Sequence, residues 1–475
     1  MPDDLFGDPL APNQRPKRKR RFTDRDQRTV HERLTDCAHN QDLFRLAAAL
    51  PQPGRVGRPR GYPDHTFLFF LAARSVLASA RRTAGHLQDP ALWAIYRAGV
   101  RTNLGHLEAA RLPALGPTRA QWLHAQHRLR HHSEDLWEHY RPLALHQALT
   151  QGIFPPGAPR PWSNPGRHQL IAADGTVLKS PTLARAAHTV DERTGEIRTH
   201  RLDPASAPQT EGGGQAVYGP KYCFFSARKD PHYRSRVFLD CRYVPHLHPG
   251  GESAVAVQAA LDLMARAPGC MGLLYDGALR GVHRDTIARA GGLVINKQHK
   301  GITPVYYETL RPGRCSHELW AAQGRIAEKL HYADGTTDLV PVPIAKLEHR
   351  GTRTHRWYHL LHIPCRHGTH HHRVPVAVTT RPGERPPGQS DTERGFHRAE
   401  HLQQIPEHTL AHQTVYPYRS DAESGHAELD ASLWNGRLIS YGVGAQQLLT
   451  LGFVLAQNST SRAIHTIQAD LQLTT

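Results

Sequence analysis

Residues 167–178 read RHQLIAADGTVL. Four apolar residues, Leu170 to Ala173, run into Asp174 and a glycine. A short apolar run closed by a turn signal is the pattern of a strand buried on both faces. Further on, MGLLYDG (271–277) repeats the design and ends on Asp276 and Gly277. Between the two, KYCFFSARKDPHYRSRVFLDCRYV (221–244) reads as two strands around a Lys-Asp-Pro turn, and ESAVAVQAALDLMAR (252–266) as a helix. HRDTIARAGG (283–292) is a helix ended by glycine, and LVINK (293–297) a further strand. The order strand, strand, strand, helix, strand, helix, strand predicts an α/β domain with a mixed sheet. The polar segment 180–218, which contains EGGGQ, reads as a long loop.

The chain on either side has a different character. Residues 1–61 form a basic, partly disordered arm. RPKRKRRF (15–22) carries Arg18, Lys19 and Arg20, a charge run of the kind that contacts phosphates. A helix is expected from Thr23 as its N-cap. GRVGRPRG (54–61) carries Arg58 and Arg60; such a Gly-Arg-Pro core can lie extended in a narrow minor groove, where arginine meets an enhanced negative potential. It is equally an ordinary Pro/Gly linker. Residues 62–151 are helical in pattern, with short basic helices around Arg81 and Arg82 that suit a helix-turn-helix or any small bundle. Residues 301–409 are rich in strand-like runs, including an Asp-Gly turn at 334–335. Residues 410–475 return to helix over 421–434, stopped by Asn435-Gly436, and over 444–458.

Composition narrows the function. The 475-residue chain has room for two or three domains. Its 59 lysines and arginines against 42 acids give a formal charge of +17, which suits a polyanion such as nucleic acid. FLFFLAARSVLASA (67–80) is too short for a membrane span and carries Arg74, so no membrane association is expected. The N-terminus lacks a secretory pattern, and the six cysteines include no CxxC pair. They are expected to be reduced thiols in the cytoplasm. The 35 histidines are densest in CRHGTHHHR (365–373). His370, His371 and His372 are consecutive and alternate faces in a strand, so the stretch 367–372 reads as a strand edge or solvated loop rather than a metal centre.

Asp174 and Asp276 both terminate apolar strands, and acids at that edge of an α/β sheet stand where ligands bind. YPYRSDAESGHAELD (416–430) supplies a third acid, Glu423, on a helix. Three such carboxylates can hold two Mg²⁺ ions, which prefer oxygen ligands and in pairs stabilise the attacking and leaving oxygens of phosphoryl transfer. Each acid also has a structural use: the Asp-Gly pairs form turns, and Ser420 to Glu423 fits a capping box.

Taken together, these motifs resemble the DDE transposases of bacterial insertion sequences. The resemblance covers residues 165–460. It implies an RNase H-like mixed sheet (165–300 and 410–475) with a β-rich insertion (301–409), preceded by a helical DNA-binding domain (62–151). In that fold the first acid is on the first strand and the second on the fourth. The third lies in Y-x2-R-x3-E-x6-K, matched here by Tyr416, Arg419 and Glu423, whereas Asp430 stands in place of the lysine. The resemblance implies Asp174, Asp276 and Glu423 as catalytic ligands of two Mg²⁺ or Mn²⁺ ions, with Arg419 and Tyr416 at the DNA. It also implies double-stranded DNA as partner, a homodimer pairing two element ends, and a nucleoid-associated protein. Trp320 and Trp357 are candidates for stacking on a displaced base, or for core. Two other readings stay open: a DNA-binding remnant that no longer cleaves, and an RNase H-like nuclease.

Overall fold

The computed structural model describes residues 4–7, 28–51, 60–157, 161–210, 216–231, 234–351, 353, 355–377 and 398–473. The Arg18-Lys19-Arg20 run, Arg58 and the expected helix start at Thr23 lie outside the described residues. The chain divides into two compact units. The first comprises Met1–Arg21, Phe154–Asp174 and Ser253–Ser420; the second comprises Phe22–Ile153, Gly175–Glu252 and Asp421–Thr475.

Eight helices open the described chain: α1 (Val30–His39), α2 (Gln41–Ala49), α3 (Asp64–Leu77), α4 (Ala80–Leu87), α5 (Pro90–Leu104), α6 (His106–Arg111), α7 (Arg119–Leu129) and α8 (Ser133–Thr150). Then come β1 (Leu170–Val177), the small ladders β2 (His188–Val190) with β3 (Ile197–Thr199) and β4 (Ala207–Thr210) with β5 (Ala216–Gly219), β6 (Lys221–Arg228), β7 (Arg236–Val244), α9 (Gly251–Arg266), β8 (Gly272–Leu274), α10 (Gly281–Arg289) and β9 (Leu293–Ile295). Seven strands follow: β10 (Val305–Leu310), β11 (His317–Ala322), β12 (Arg325–His331), β13 (Thr337–Pro341), β14 (Ile344–Arg350), β15 (Arg356–Cys365) and β16 (Gly368–Pro375). The described chain ends with α11 (Arg398–His401), α12 (Leu410–Val415), α13 (Ser420–Ser432) and α14 (Val443–Leu473). The class is mixed α/β, as expected.

In the first unit β8 pairs in parallel with β1 and with β9. The sheets β10-β11-β12-β13 and β14-β15-β16 are antiparallel meanders of the same unit. Asp334 and Gly335, the latter at φ 83°, make the expected turn between β12 and β13, with the Asp334 carboxylate accepting from the Thr336 N–H at 2.9 Å. Trp357 is fully buried and its indole N–H donates to the Ala288 carbonyl at 2.8 Å, so it is core. Trp320 is half-buried, with its ring against Tyr306 and Lys329.

In the second unit β6 and β7 form an antiparallel pair. The helices of this unit share one core. Phe69 of α3 stacks on Tyr96 of α5 at 4.4 Å, and Phe70 stacks on Trp122 of α7 at 4.5 Å. Leu448, Leu451, Phe453 and Val454 of α14 join the same cluster. α3 is buried around almost its whole circumference, as a helix apolar on all sides must be.

Three details differ from expectation. α1 is capped by Thr29, whose hydroxyl accepts from the Glu32 N–H while the Glu32 carboxylate accepts from the Thr29 N–H at 2.7 Å. The segment 180–218 is not a plain loop, since β2 to β5 form two polar ladders in it. α14 runs to Leu473 rather than 458, because residues 459–473 contain no proline or glycine to stop it.

Two buried histidines set a pH dependence. Burial away from water pulls His65 down to about 4 and His359 down to about 3, the latter against the opposing pull of its hydrogen bond to the Gln404 carbonyl. Both are neutral in the folded protein near neutral pH, whereas the unfolded chain protonates them near 6.5. Below that value the unfolded state binds more protons, so stability falls as pH drops from about 6.5 toward about 4. The denaturant midpoint is expected to fall between about pH 7 and about pH 5, and to fall less in His359→Gln. A flat profile would mean that these rings protonate in place.

Candidate active site

β1 and β8 are in register with Ala172 opposite Leu274. Asp174 and Asp276 each stand two residues beyond that pair. By this register Asp276, two residues past β8, is level along the chain with Asp174 on β1, and neighbouring strands lie about 4.8 Å apart. Asp174 is 9% exposed. Its glycine is not a turn: β1 continues to Val177, which corrects the expectation that the strand ends here. Gly175 instead leaves room for a neighbouring side chain. A Cβ on it would lie 2.3 Å from Oε1 of Glu252, which is ion-paired with Lys221. Asp276 does open a turn, its Oδ1 accepting from the Ala278 N–H at 2.9 Å. Asn296, at the exit of β9 and 1% exposed, donates to the carbonyls of Asp276 (3.3 Å) and Leu279 (3.0 Å). The backbone carrying Asp276 is thereby fixed from the next strand.

Residues 416–419 form a 3-10 turn of the same unit. From it the Arg419 guanidinium donates to Asp174 Oδ2 at 3.2 Å. Tyr416 stacks on His412, with Lys297 of the β9 exit 5.6 Å from its ring centre. Asp174 therefore has an arginine as a direct partner, and the same turn carries Tyr416 beside Lys297. Carboxylate oxygens suit Mg²⁺, and Arg419 competes with a cation for Asp174.

Glu423 belongs to the second unit, in the first turn of α13. Asp421, Ser424, Gly425 and Glu428 share one helix face by their spacing, and that face is docked on β6 and β7. Arg228 pairs with Asp421 at 2.9 Å, Arg236 pairs with Glu428 at 2.8 Å and donates to Ser424, and a Cβ on Gly425 would lie 3.2 Å from the Phe238 ring. Glu423, Ala427 and Asp430 recur at the same spacing on another face, and all three are exposed. The hydroxyl of Ser420 donates to the Pro417 carbonyl at 2.8 Å. Asn435 (φ 53°) and Gly436 (φ 62°) make the expected stop after this helix.

Of the other sequence candidates, Arg60 is ion-paired with Asp64 at 2.8 Å, and Asp64 also receives Arg128. Among the described residues, the one group of His, Cys, Asp or Glu side chains whose ligand atoms all lie within 4.8 Å of one another is Cys315, His317, Cys365 and His370. The sequence reading placed no metal centre there. The three consecutive histidines do not converge by themselves, and the partners Cys315 and His317 lie about 50 residues upstream. No helix among the described residues is long and apolar enough to cross a membrane. No family model matches the chain, and no curated protein matches it.

Proposed function

We propose that the chain is a DDE transposase with an RNase H-like catalytic sheet, which cuts double-stranded DNA at the ends of its own element and joins those ends to a target. The observation that supports this best is the register that sets Asp276, two residues past β8, level with Asp174 on the adjacent parallel strand β1. That is the placement the family resemblance implies for the first two catalytic acids. Glu423, on the exposed face of α13, is the third in this reading.

Asp174, Asp276 and Glu423 would hold two Mg²⁺ or Mn²⁺ ions. When bound, such a pair stabilises charge on the attacking and leaving oxygens of an in-line displacement. Around them the chain's own groups orient the DNA: Arg419 contacts a phosphate once it leaves Asp174, and Tyr416 flanks it. Water attacks the phosphodiester and frees a 3′-hydroxyl, which then attacks a phosphodiester of the target. Pairing two ends calls for a homodimer, and the charge of +17 suits a protein resident on the nucleoid. The test is incubation of the protein with duplex carrying the inverted repeats that flank its gene. Nicking at the repeat ends that leaves a 3′-hydroxyl and needs Mg²⁺ is expected; cleavage without regard to the repeats would favour a nuclease of the same fold.

Arg419→Gln separates the two roles of that residue. Losing a competing cation should tighten Mn²⁺ binding, while cleavage should fall with the lost phosphate contact. Weaker metal binding would show that Arg419 orders Asp174 rather than competing for it.

A second reading, a remnant that binds DNA without cutting it, draws on one observation. Asp430 is exposed on the same face as Glu423, where the family carries lysine. An acid there repels a phosphate. Asp430→Lys is expected to raise affinity for element-end DNA and to steepen the salt dependence by a slope of about 0.9 in log K against log salt per phosphate contacted. Parallel salt titrations of equal affinity would remove Asp430 from the DNA interface.

A further inference from the structure

Cys315 and His317 stand at the entry to β11, while Cys365 ends β15 and His370 lies on the facing strand β16. One ligand atom from each lies within 4.8 Å of all the others. The two sulfurs are 3.3 Å apart, well beyond the roughly 2.05 Å of a disulfide bond. The Nε2 atoms of His317 and His370 are both buried without a hydrogen-bond partner. His317 is 5% exposed, and its other nitrogen, Nδ1, lies 2.7 Å from the Glu328 carboxylate on β12. Glu328 therefore accepts a hydrogen bond from the Nδ1–H of His317, which leaves the Nε2 lone pair available to the cluster. A carboxylate behind a ligating imidazole is the usual outer support of a metal site.

We propose that Cys315, His317, Cys365 and His370 form a structural zinc site. Two thiolates and two imidazoles are a donor set that selects zinc, and four protein ligands close the coordination sphere, as in structural rather than catalytic centres. Tetrahedral zinc with sulfur at about 2.3 Å and nitrogen at about 2.0–2.1 Å separates its ligand atoms by about 3.3–3.8 Å, which this cluster accommodates. The ligands come in two pairs. Cys315 and His317 belong to the start of the β10–β13 sheet, and Cys365 and His370 to the hairpin of the β14–β16 sheet. Zinc would tie these two meanders of one unit together at their ends. The neighbouring histidines have other partners: His371 packs on the His362 ring, and His372 pairs with Glu308 at 2.5 Å.

This inference does not depend on the catalytic reading, and its test needs no DNA. Full-length protein purified without chelator is expected to carry one zinc per chain by elemental analysis. Replacement by cobalt is expected to give the intense visible bands of a tetrahedral thiolate-ligated ion. Zinc should fall to background in Cys365→Ser and in His317→Ala, and stay at one per chain in Cys223→Ala, a buried cysteine elsewhere. If the ligand variants fail to fold, the cobalt spectrum of the unaltered protein decides. Unaltered protein without stoichiometric zinc and without those cobalt bands, whether its thiols are free or joined as a Cys315–Cys365 disulfide, would overturn the assignment.

Discussion

Asp276→Asn is expected to lower Mg²⁺-dependent cleavage of element-end DNA by more than about 100-fold, since loss of even a group that only supports a metal ligand costs 10–100-fold. The amide keeps the size of the carboxylate and can still accept from the Ala278 N–H, so the turn should survive. What it loses is the negative charge that a divalent cation requires. Binding to duplex should persist or strengthen slightly, because removing an acid near phosphate removes repulsion. Measuring cleavage rate and DNA affinity on the same preparation separates these effects. Equal loss of both would mean that Asp276 supports the fold rather than the chemistry.

Arg228→Met is expected to destabilise the protein by about 3–5 kcal/mol, read from the denaturation midpoint, because it removes one partner of a buried ion pair. The side chains of Arg228 and Asp421 are 8% and 6% exposed, and they meet at 2.9 Å. Both partners are taken out of water, so the pair differs from a surface ion pair, whose typical value is about 0–1 kcal/mol. Adding Asp421→Asn should restore part of the stability, since the buried negative charge of the broken pair is then gone. The functional consequence follows from position. Asp421 is two residues before Glu423, and the Arg228 contact fixes the first turn of α13. Cleavage by Arg228→Met at a temperature where it remains folded should therefore also fall. Unchanged stability would mean that water or Arg236 compensates Asp421.

The main strands were readable because they are apolar runs bounded by polar residues, and Asp174 and Asp276 stood out as acids at their ends. That β1 passes through Asp174-Gly175 was not readable. The pair forms a turn in most settings, and the Glu252 carboxylate that packs beside Gly175 comes from a distant segment. The ladders β2–β3 and β4–β5 were missed because exposed two-stranded ribbons need no apolar alternation; β2 and β3 are exposed at every residue. On α13 the acids looked alike in sequence. Their packing on β6 and β7 separates Asp421 and Glu428, which dock the helix, from Glu423 on its exposed face. The Cys/His group was hidden by distance: Cys315 and Cys365 meet through the pairing of separate sheets, which no local spacing encodes. A search for Cys-x-His and Cys-x4-His pairs across the whole chain would have found the four residues together.

The claim that three carboxylates share two metal ions is tested most directly by Mn²⁺ titration of the protein bound to element-end DNA, followed by electron paramagnetic resonance. The unaltered protein is expected to take up two Mn²⁺ whose spectra show spin coupling between close neighbours. Glu423→Gln should lose one ion and the coupling with it. Unchanged uptake and coupling in Glu423→Gln would contradict the account.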